Sequence, residues 1–216
     1  MASTAPAPSA PPAPEETSLA DALGGIRGVV ETSVPAAAYV VAILLTDKDA
    51  TLSAVIALAV GAVLFVARLV QRDTLQHALG GLVGVALAAF IVSRTGRAED
   101  FFLVSILKNA GFAAVYAISI LVRWPLLGVL VGAVRQQPGA WREDRAQLRA
   151  FSRASWIWVG MFLLRIVVQL PLYLAGATVA LGTANVALGL PVYVATLWLS
   201  WLVLRDQPLV RGAKAV

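Results

Sequence analysis

The chain has 216 residues, of which 59% are hydrophobic and only 13% are charged. Soluble domains are usually about 45–50% apolar and about 25% charged, so this composition indicates a protein built for a lipid bilayer. The net charge of +5 does not indicate a nucleic-acid partner, because the cations lie in loops and at the ends of apolar segments. The absence of cysteine and the presence of one histidine, His77, exclude thiolate sites and imidazole clusters, and no cofactor is expected.

Six apolar segments follow a proline-rich N-terminal tail. Residues 1–20 hold five of the eleven prolines and are predicted to be disordered. Residues 206–216 form a basic C-terminal tail. Between the tails, residues 21–205 predict an all-α membrane domain, a six-span helical bundle. The spans are placed at about 29–45, 50–70, 74–93, 101–122, 154–176 and 181–204.

A proline interrupts the chain after the fourth span. The sequence Arg123-Trp124-Pro125 ends or kinks that helix, because proline disfavours helical geometry in the residue before it. Residues 126–134 are too few to cross a bilayer, so they predict a kinked or re-entrant piece.

A cytosolic amphipathic segment is predicted over residues 136–153. Arginines line its polar side, while Trp141, Leu148 and Phe151 are expected to dip into the lipid headgroups. Trp141 and Arg142 join the proline element as candidates for a kink and its interface.

The distribution of lysine and arginine predicts the orientation. Most of these residues fall on one side of the six spans, the side that also holds both termini. The positive-inside rule therefore predicts a plasma-membrane protein with cytoplasmic N and C termini.

The fifth span carries an arginine near its middle. An arginine at the centre of a bilayer costs from about 3 to more than 10 kcal/mol if it faces lipid, so Arg165 must be paired or solvated. Trp158, Gln169 and Tyr173 fall near the same helical face. The fourth span also contains polar residues at membrane depth, Lys108 and Asn109, a few residues after it begins.

The cations inside the spans outnumber the acids. Near the cytoplasmic side, Arg27, Glu31 and Arg68 can form structural ion pairs. Arg165 and Lys108 have no evident acidic partner. Either backbone carbonyls at proline breaks and water satisfy them, or they line a cavity for an anionic group such as a lipid phosphate or an organic anion.

Several sequence elements carry a family resemblance. They are GGIRGVVETSVP (24–35), ARL (67–69), TGRAEDFF (95–102), Asn109, LVRWPLLG (121–128), Trp141-Arg142 and the string from Trp156 to Tyr173 that contains Arg165. From about Leu23 to Leu204 the chain resembles an uncharacterised actinobacterial membrane family, domain of unknown function 3159. This resemblance implies an integral protein of the plasma membrane without an established activity.

More distantly, the layout is similar to the intracellular septation protein A family, through the element Arg123-Trp124-Pro125-Leu126 and a later tryptophan-rich span. That similarity implies a role in envelope synthesis or division. The chain lacks paired acids, HExxH and a serine–histidine pair, so a non-enzymatic protein is expected. The alternative is a small transporter or lipid-handling protein. Expected partners are the bilayer, its anionic headgroups, a second copy or other membrane proteins.

Overall fold

The structure is a computed structural model that describes residues 25–70, 75–137 and 139–207. The predicted tail at 1–20 lies outside the described residues, as do most of 206–216 and the side chains of Arg27, Glu31 and Arg68. The regular elements of the described ranges are all helical. The α-helices are α1 (Gly25–Leu45), α2 (Ala50–Val70), α3 (Leu75–Thr95), α4 (Leu103–Leu121), α5 (Leu126–Val134), α6 (Arg145–Leu174), α7 (Thr178–Ala187) and α8 (Leu190–Leu204). Two short 3-10 segments, Ala98–Phe102 and Ala140–Arg142, precede α4 and α6.

Four helical stretches are long and apolar enough to cross a membrane. They are Ala50–Ala67, Ala98–Leu121, Arg145–Leu174 and Thr178–Leu204. The described parts of α1 and α3, Ser33–Leu45 and Gly81–Thr95, are shorter apolar helices of 10–17 residues. The protein is therefore an all-α membrane protein, with four membrane-length stretches among the described residues where six spans were predicted.

The second half of the predicted cytosolic segment, from Arg145, and the fifth span form one continuous helix. The carboxylate of Asp144 accepts a hydrogen bond from the backbone N–H of Ala146, which caps α6 at Arg145 rather than near residue 154. Neither glycine nor proline interrupts the chain between this cap and Ala154. A separate helix lying on the membrane surface, as predicted over 136–153, is therefore not present in the described residues.

The predicted sixth span is two helices. The break falls at Leu188-Gly189, and Pro191 lies in the first turn of α8 instead of inside a continuous helix. Proline has no N–H to donate to the carbonyl one turn earlier, so it is tolerated at a helix start and disfavoured in a helix interior.

The buried apolar residues form two clusters. The aromatic half is built by α4, α5, α6 and α8, and its buried rings are Tyr116, Trp141, Phe151, Trp158, Phe162 and Tyr193. The alanine half is built by α1, α2, α3, the first 3-10 segment and α7, and its buried alanines are Ala36, Ala50, Ala54, Ala57, Ala88 and Ala89. Alanine lets helix backbones approach closely, which is how helices pack in lipid.

A layer of polar residues lies between the two halves, and each helix that runs from one half to the other crosses it. On α4 it lies between Val104 and Ala113, and on α6 between Phe162 and Leu172. On α7 and α8 it lies between Leu181 and Tyr193. Each of these intervals contains the polar residues from which the site is built.

Candidate functional site

The centre of the polar layer is the break between α7 and α8. Leu188 follows the last residue of α7, and the residue before α8 is Gly189, which has no side chain to cap the first N–H groups of that helix. A Cβ on Gly189 would approach the Val186 carbonyl oxygen to 2.9 Å. Glycine therefore suits this tight turn, and the break leaves helix-end carbonyls and N–H groups at mid-span depth.

Arg165 binds the carbonyl that the break releases. Its Nε and Nη2 donate to the Leu188 oxygen at 3.0 and 2.6 Å. Because a helix C-terminus carries a partial negative charge, the guanidinium is stabilised by the end of α7 rather than by a carboxylate. No aspartate or glutamate occurs in α4, α6, α7 or α8.

Amide and hydroxyl groups continue the layer from Arg165 to α4. Gln169 Nε2 donates to Asn185 Oδ1 at 3.1 Å, and Ser105 Oγ donates to the same oxygen at 3.4 Å. Asn109 Nδ2 donates to the Ser105 carbonyl at 2.9 Å. The layer thus joins α4, α6 and α7 through side chains.

Gln169 is fully buried but only half satisfied. Its Oε1 has no hydrogen-bond partner in the structure, although its exposed fraction is 0%. Its other end, Nε2, is used in the bond to Asn185. An unbonded buried polar atom is costly, and such atoms concentrate where a ligand or water completes the bonding.

Lys108 lies at the lipid-facing edge of the layer. Its side chain is exposed on α4, one residue before the buried Asn109. Its helix packs along α6, the helix that carries Arg165. The site thus holds two cations without a neutralising acid on the helices that form it.

The four side chains that were predicted to share one face of α6 make their contacts in three different parts of the molecule. Gln169 joins the polar layer one turn from Arg165. Trp158 instead donates through Nε1 to Ser200 Oγ at 3.1 Å within the aromatic half. Tyr173 donates to Asp100 Oδ1 at 2.7 Å at the end of α6. Helical spacing had placed the four side chains on one face, but their partners lie on different elements.

The contacts around Asp100 close one end of the molecule, the Asp100 end. Asp100 is 4% exposed, and Tyr39 OH donates to the neighbouring Ala98 carbonyl at 2.7 Å. Arg97 donates to Glu99 at 2.8 Å, and this hydrogen bond raises the pKa of Arg97. The side chains of TGRAEDFF (95–102) therefore dock helices against one another at this end.

The predicted kink residues meet at the opposite end, the Trp141 end. The Arg142 guanidinium lies 4.2 Å from the Trp124 ring centre, and the Trp124 ring meets Trp141 edge-on at 6.0 Å. Pro125 is fully buried and precedes α5, while Arg123 has a positive φ of 58° in the turn before it. The element LVRWPLLG thus forms the turn before α5, and its tryptophan packs over that turn against Trp141 and Arg142.

The prediction that Trp141 inserts into lipid headgroups is wrong. Its side chain is 0% exposed and packs flat against α5, where a Cβ on Gly128 would lie 3.0 Å from its ring atoms. Phe151 is likewise fully buried and meets Trp141 at 6.0 Å. The glycine pair Gly128 and Gly132 provides the flat surface that the indole needs.

Sequence reasoning missed Ser105, Asn185 and the Leu188 carbonyl. Asn185 is the amide of a segment that is otherwise small and apolar, and the Gly189-Leu190-Pro191 string is typical of a helix break. Together these two signals could have located the layer on α7. In the described residues no three His, Cys, Asp or Glu side chains are grouped to hold a metal ion.

Comparison with known proteins gives one result. The model of the family described as "Protein of unknown function (DUF3159)" matches residues 23–210, nearly the whole chain. No curated protein and no solved structure matches significantly. The chain therefore belongs to the DUF3159 family of proteins of unknown function.

Proposed function

We propose that this protein is a non-enzymatic membrane protein that binds an anionic group at the break between α7 and α8. The observation that carries the proposal is the position of Arg165, which lies at mid-span depth and, among the residues that the structure describes, bonds to the Leu188 carbonyl alone. Broken helices with unwound backbone at the membrane midplane are the usual binding sites of transporters. A transporter or lipid-handling protein would use the site in this way.

The free donors of the site suit an anion. A guanidinium has five N–H groups, and the bonds to Leu188 use its Nε and Nη2. The residue before α8 is a glycine, which supplies no side-chain cap, and a helix N-terminus attracts negative charge. Lys108 adds an ammonium from α4. Helix α6, which carries Arg165, packs against both α4 and α8.

The Leu188 carbonyl alone does not neutralise the positive charge of Arg165 and Lys108. A neutral carbonyl and the end of α7 satisfy part of the guanidinium, which supports a structural role for Arg165. Lys108 receives no comparable partner in the described residues, and α4, α6, α7 and α8 hold no acid that could neutralise either cation. A bound anion between the two would stabilise both cations, so the binding role explains more of the layer than the structural role.

The same proposal includes a place in the cell. The bias of lysine and arginine favours six spans in the plasma membrane with both termini in the cytoplasm. The similarity to septation protein A favours a role in envelope synthesis or division. That similarity rests on the sequence element Arg123-Trp124-Pro125-Leu126 and on the later tryptophan-rich span.

Replacement of Arg165 tests anion binding. The full chain in detergent would be titrated with inorganic phosphate and with sulfate while its thermal unfolding is followed. We expect either anion to raise the melting temperature of the wild type. Arg165→Lys keeps the charge but loses the forked geometry, so we expect weaker stabilisation, and Arg165→Gln should abolish it.

Arg94→Gln is the matched control, because Arg94 is an exposed cation at the end of α3. It should leave the anion effect unchanged. Equal stabilisation of wild type and Arg165→Gln would contradict the site and leave Arg165 as a structural contact.

A further inference from the structure

The surface around Lys108 is apolar. On α4, Leu107 and Phe112 are 60% and 46% exposed, so this side of the helix faces lipid. Lys108 lies five residues after the start of α4, roughly 8 Å along the helix axis. A lysine at this depth can extend its ammonium towards the headgroups while its methylene groups stay in the apolar region.

Arg165 lies deeper from the same end of the molecule. It precedes the end of α6 by nine residues, roughly 14 Å. Its neighbours Leu164 and Val167 are 45% and 68% exposed, so the adjoining surface of α6 also faces lipid. The two cations therefore form a staggered pair that starts near the headgroups and ends at the helix break.

The charge of the pair selects among anions. Two cations without an acid on the surrounding helices match a phosphate monoester, which carries about −1.5 to −2 at pH 7. A phosphodiester carries a single negative charge and would leave one cation uncompensated. The unbonded Gln169 Oε1, a buried acceptor one turn from Arg165, can accept a hydrogen bond from the P–OH of a singly protonated monoester, which a diester lacks.

From these observations we infer that the site takes the phosphate monoester of a lipid, which enters sideways from the bilayer past Lys108 and reaches Arg165 at the helix break. This inference rests on the proposed anion site and names its ligand. The acyl chains would stay against the apolar surface beside Leu107 and Phe112. Only the phosphate would leave the headgroup layer, so the two cations would replace part of its hydration.

The test compares a lipid monoester, a lipid diester and a monoester without chains. The full chain would be purified in neutral detergent and titrated with phosphatidic acid, phosphatidylglycerol or glycerol phosphate. Binding would be measured by native mass spectrometry and by the shift in melting temperature. We expect phosphatidic acid to bind about tenfold more tightly than either of the others.

Three variants locate the effect. Lys108→Met should weaken phosphatidic acid binding about tenfold and leave the fold intact, because Lys108 is exposed. Arg165→Lys should weaken binding while keeping the charge. Arg94→Gln should bind as the wild type does.

The outcomes separate the lipid from the anion site. If glycerol phosphate binds as tightly as phosphatidic acid, or if phosphatidylglycerol does, the lipid monoester is wrong while an Arg165-dependent anion site survives. If Lys108→Met has no effect, sideways entry past Lys108 is wrong. If none of the ligands depends on Arg165, both this inference and the proposed function fail.

Discussion

The two halves of the molecule are packed by opposite means. In the aromatic half, rings interlock across α4, α6 and α8. Tyr116 stacks on Trp158 at 5.8 Å, and Trp158 meets Tyr193 edge-on at 5.7 Å. In the alanine half, small residues bring α1, α2 and α3 together, and rings are concentrated at the Asp100 end, where Tyr39 stacks on Phe101 at 4.0 Å.

The difference teaches where each half is vulnerable. In lipid, helices associate through close packing rather than through removal of apolar surface from water. A half built from large rings loses most when a ring is shortened, because a cavity remains. A half built from small residues loses most when an atom is added, because the backbones must separate. The predictions below test this contrast.

The largest loss is expected from Trp141→Ala in the aromatic half. Removing a fully buried indole should lower the free energy of unfolding by about 3–5 kcal/mol. The measurement is reversible unfolding in detergent. Trp198→Ala is the control, because Trp198 is 59% exposed, and it should have little effect. Trp141→Phe should cost less, since it also removes an indole N–H that has no partner. Equal losses at Trp141 and Trp198 would contradict the packing described.

The alanine half should respond most to Gly182→Ala. An added Cβ would overlap the Val40 side chain on α1 and would lie 3.1 Å from Phe102 Cζ. We expect a loss of about 1–3 kcal/mol in the free energy of unfolding, because α7 must move away from α1. Gly84→Ala, which meets nothing within 4 Å, is the control.

A compensating change sharpens this prediction. Val40→Ala should restore part of the stability lost in Gly182→Ala, because it removes the overlapping methyl groups. A double-mutant cycle would measure the coupling between the two positions. Strict additivity would show that α7 does not pack on α1 at this point.

The contact between α6 and the Asp100 end should contribute no more than the packing at Gly182. Tyr173→Phe removes the hydrogen bond to a buried carboxylate, and we expect a loss of about 1–3 kcal/mol. The partner change Asp100→Asn should make Tyr173→Phe less costly, which chemical denaturation of the four proteins would reveal. The exposed Thr183 bonds only to its own helix, and Thr183→Ala serves as the control.

The smallest effect is expected at the surface of the aromatic half. Arg142→Gln removes a cation that lies 4.2 Å from the Trp124 ring, a contact worth about 0.5–1 kcal/mol at an exposed site. Thermal unfolding of this variant would be compared with Arg149→Gln, which loses a guanidinium bonded to its own helix. A larger loss at Arg149 would exclude the ring contact as a source of stability.

The sequence predicts the helices better than their joints. The apolar run of α2 and the proline at 125 have local causes, so Ala50–Val70 and the start of α5 follow from composition and proline geometry. The start of α6 depends on Asp144, whose capping role looks the same in sequence as an ordinary loop carboxylate. The break that divides the last span into α7 and α8 could be predicted only by considering Gly189 and Pro191 together.

The site was predictable only in part, for the same reason. Arg165 is conspicuous in an apolar helix, and the expectation that a carbonyl near a proline break would receive it agrees with its bonds to Leu188. The identity of that carbonyl depends on how α6 lies against α7, which is a long-range contact. Trp158 and Tyr173 share the helical periodicity of Arg165 but find partners 42 and 73 residues away.

The arrangement of α6 also bears on the order of synthesis. The first three helices pack on their sequence neighbours, α1 with α2 and α2 with α3, so they can pair as soon as they are inserted. Helix α4 has its most extensive contact with α6, and α1 receives α7 only after α6 is complete. The surface of α1 around Val40 therefore lacks its α7 partner until the chain has been synthesised as far as Gly182. During that interval the bundle is incomplete, and the part of α1 that α7 later covers is available to a membrane insertase or chaperone.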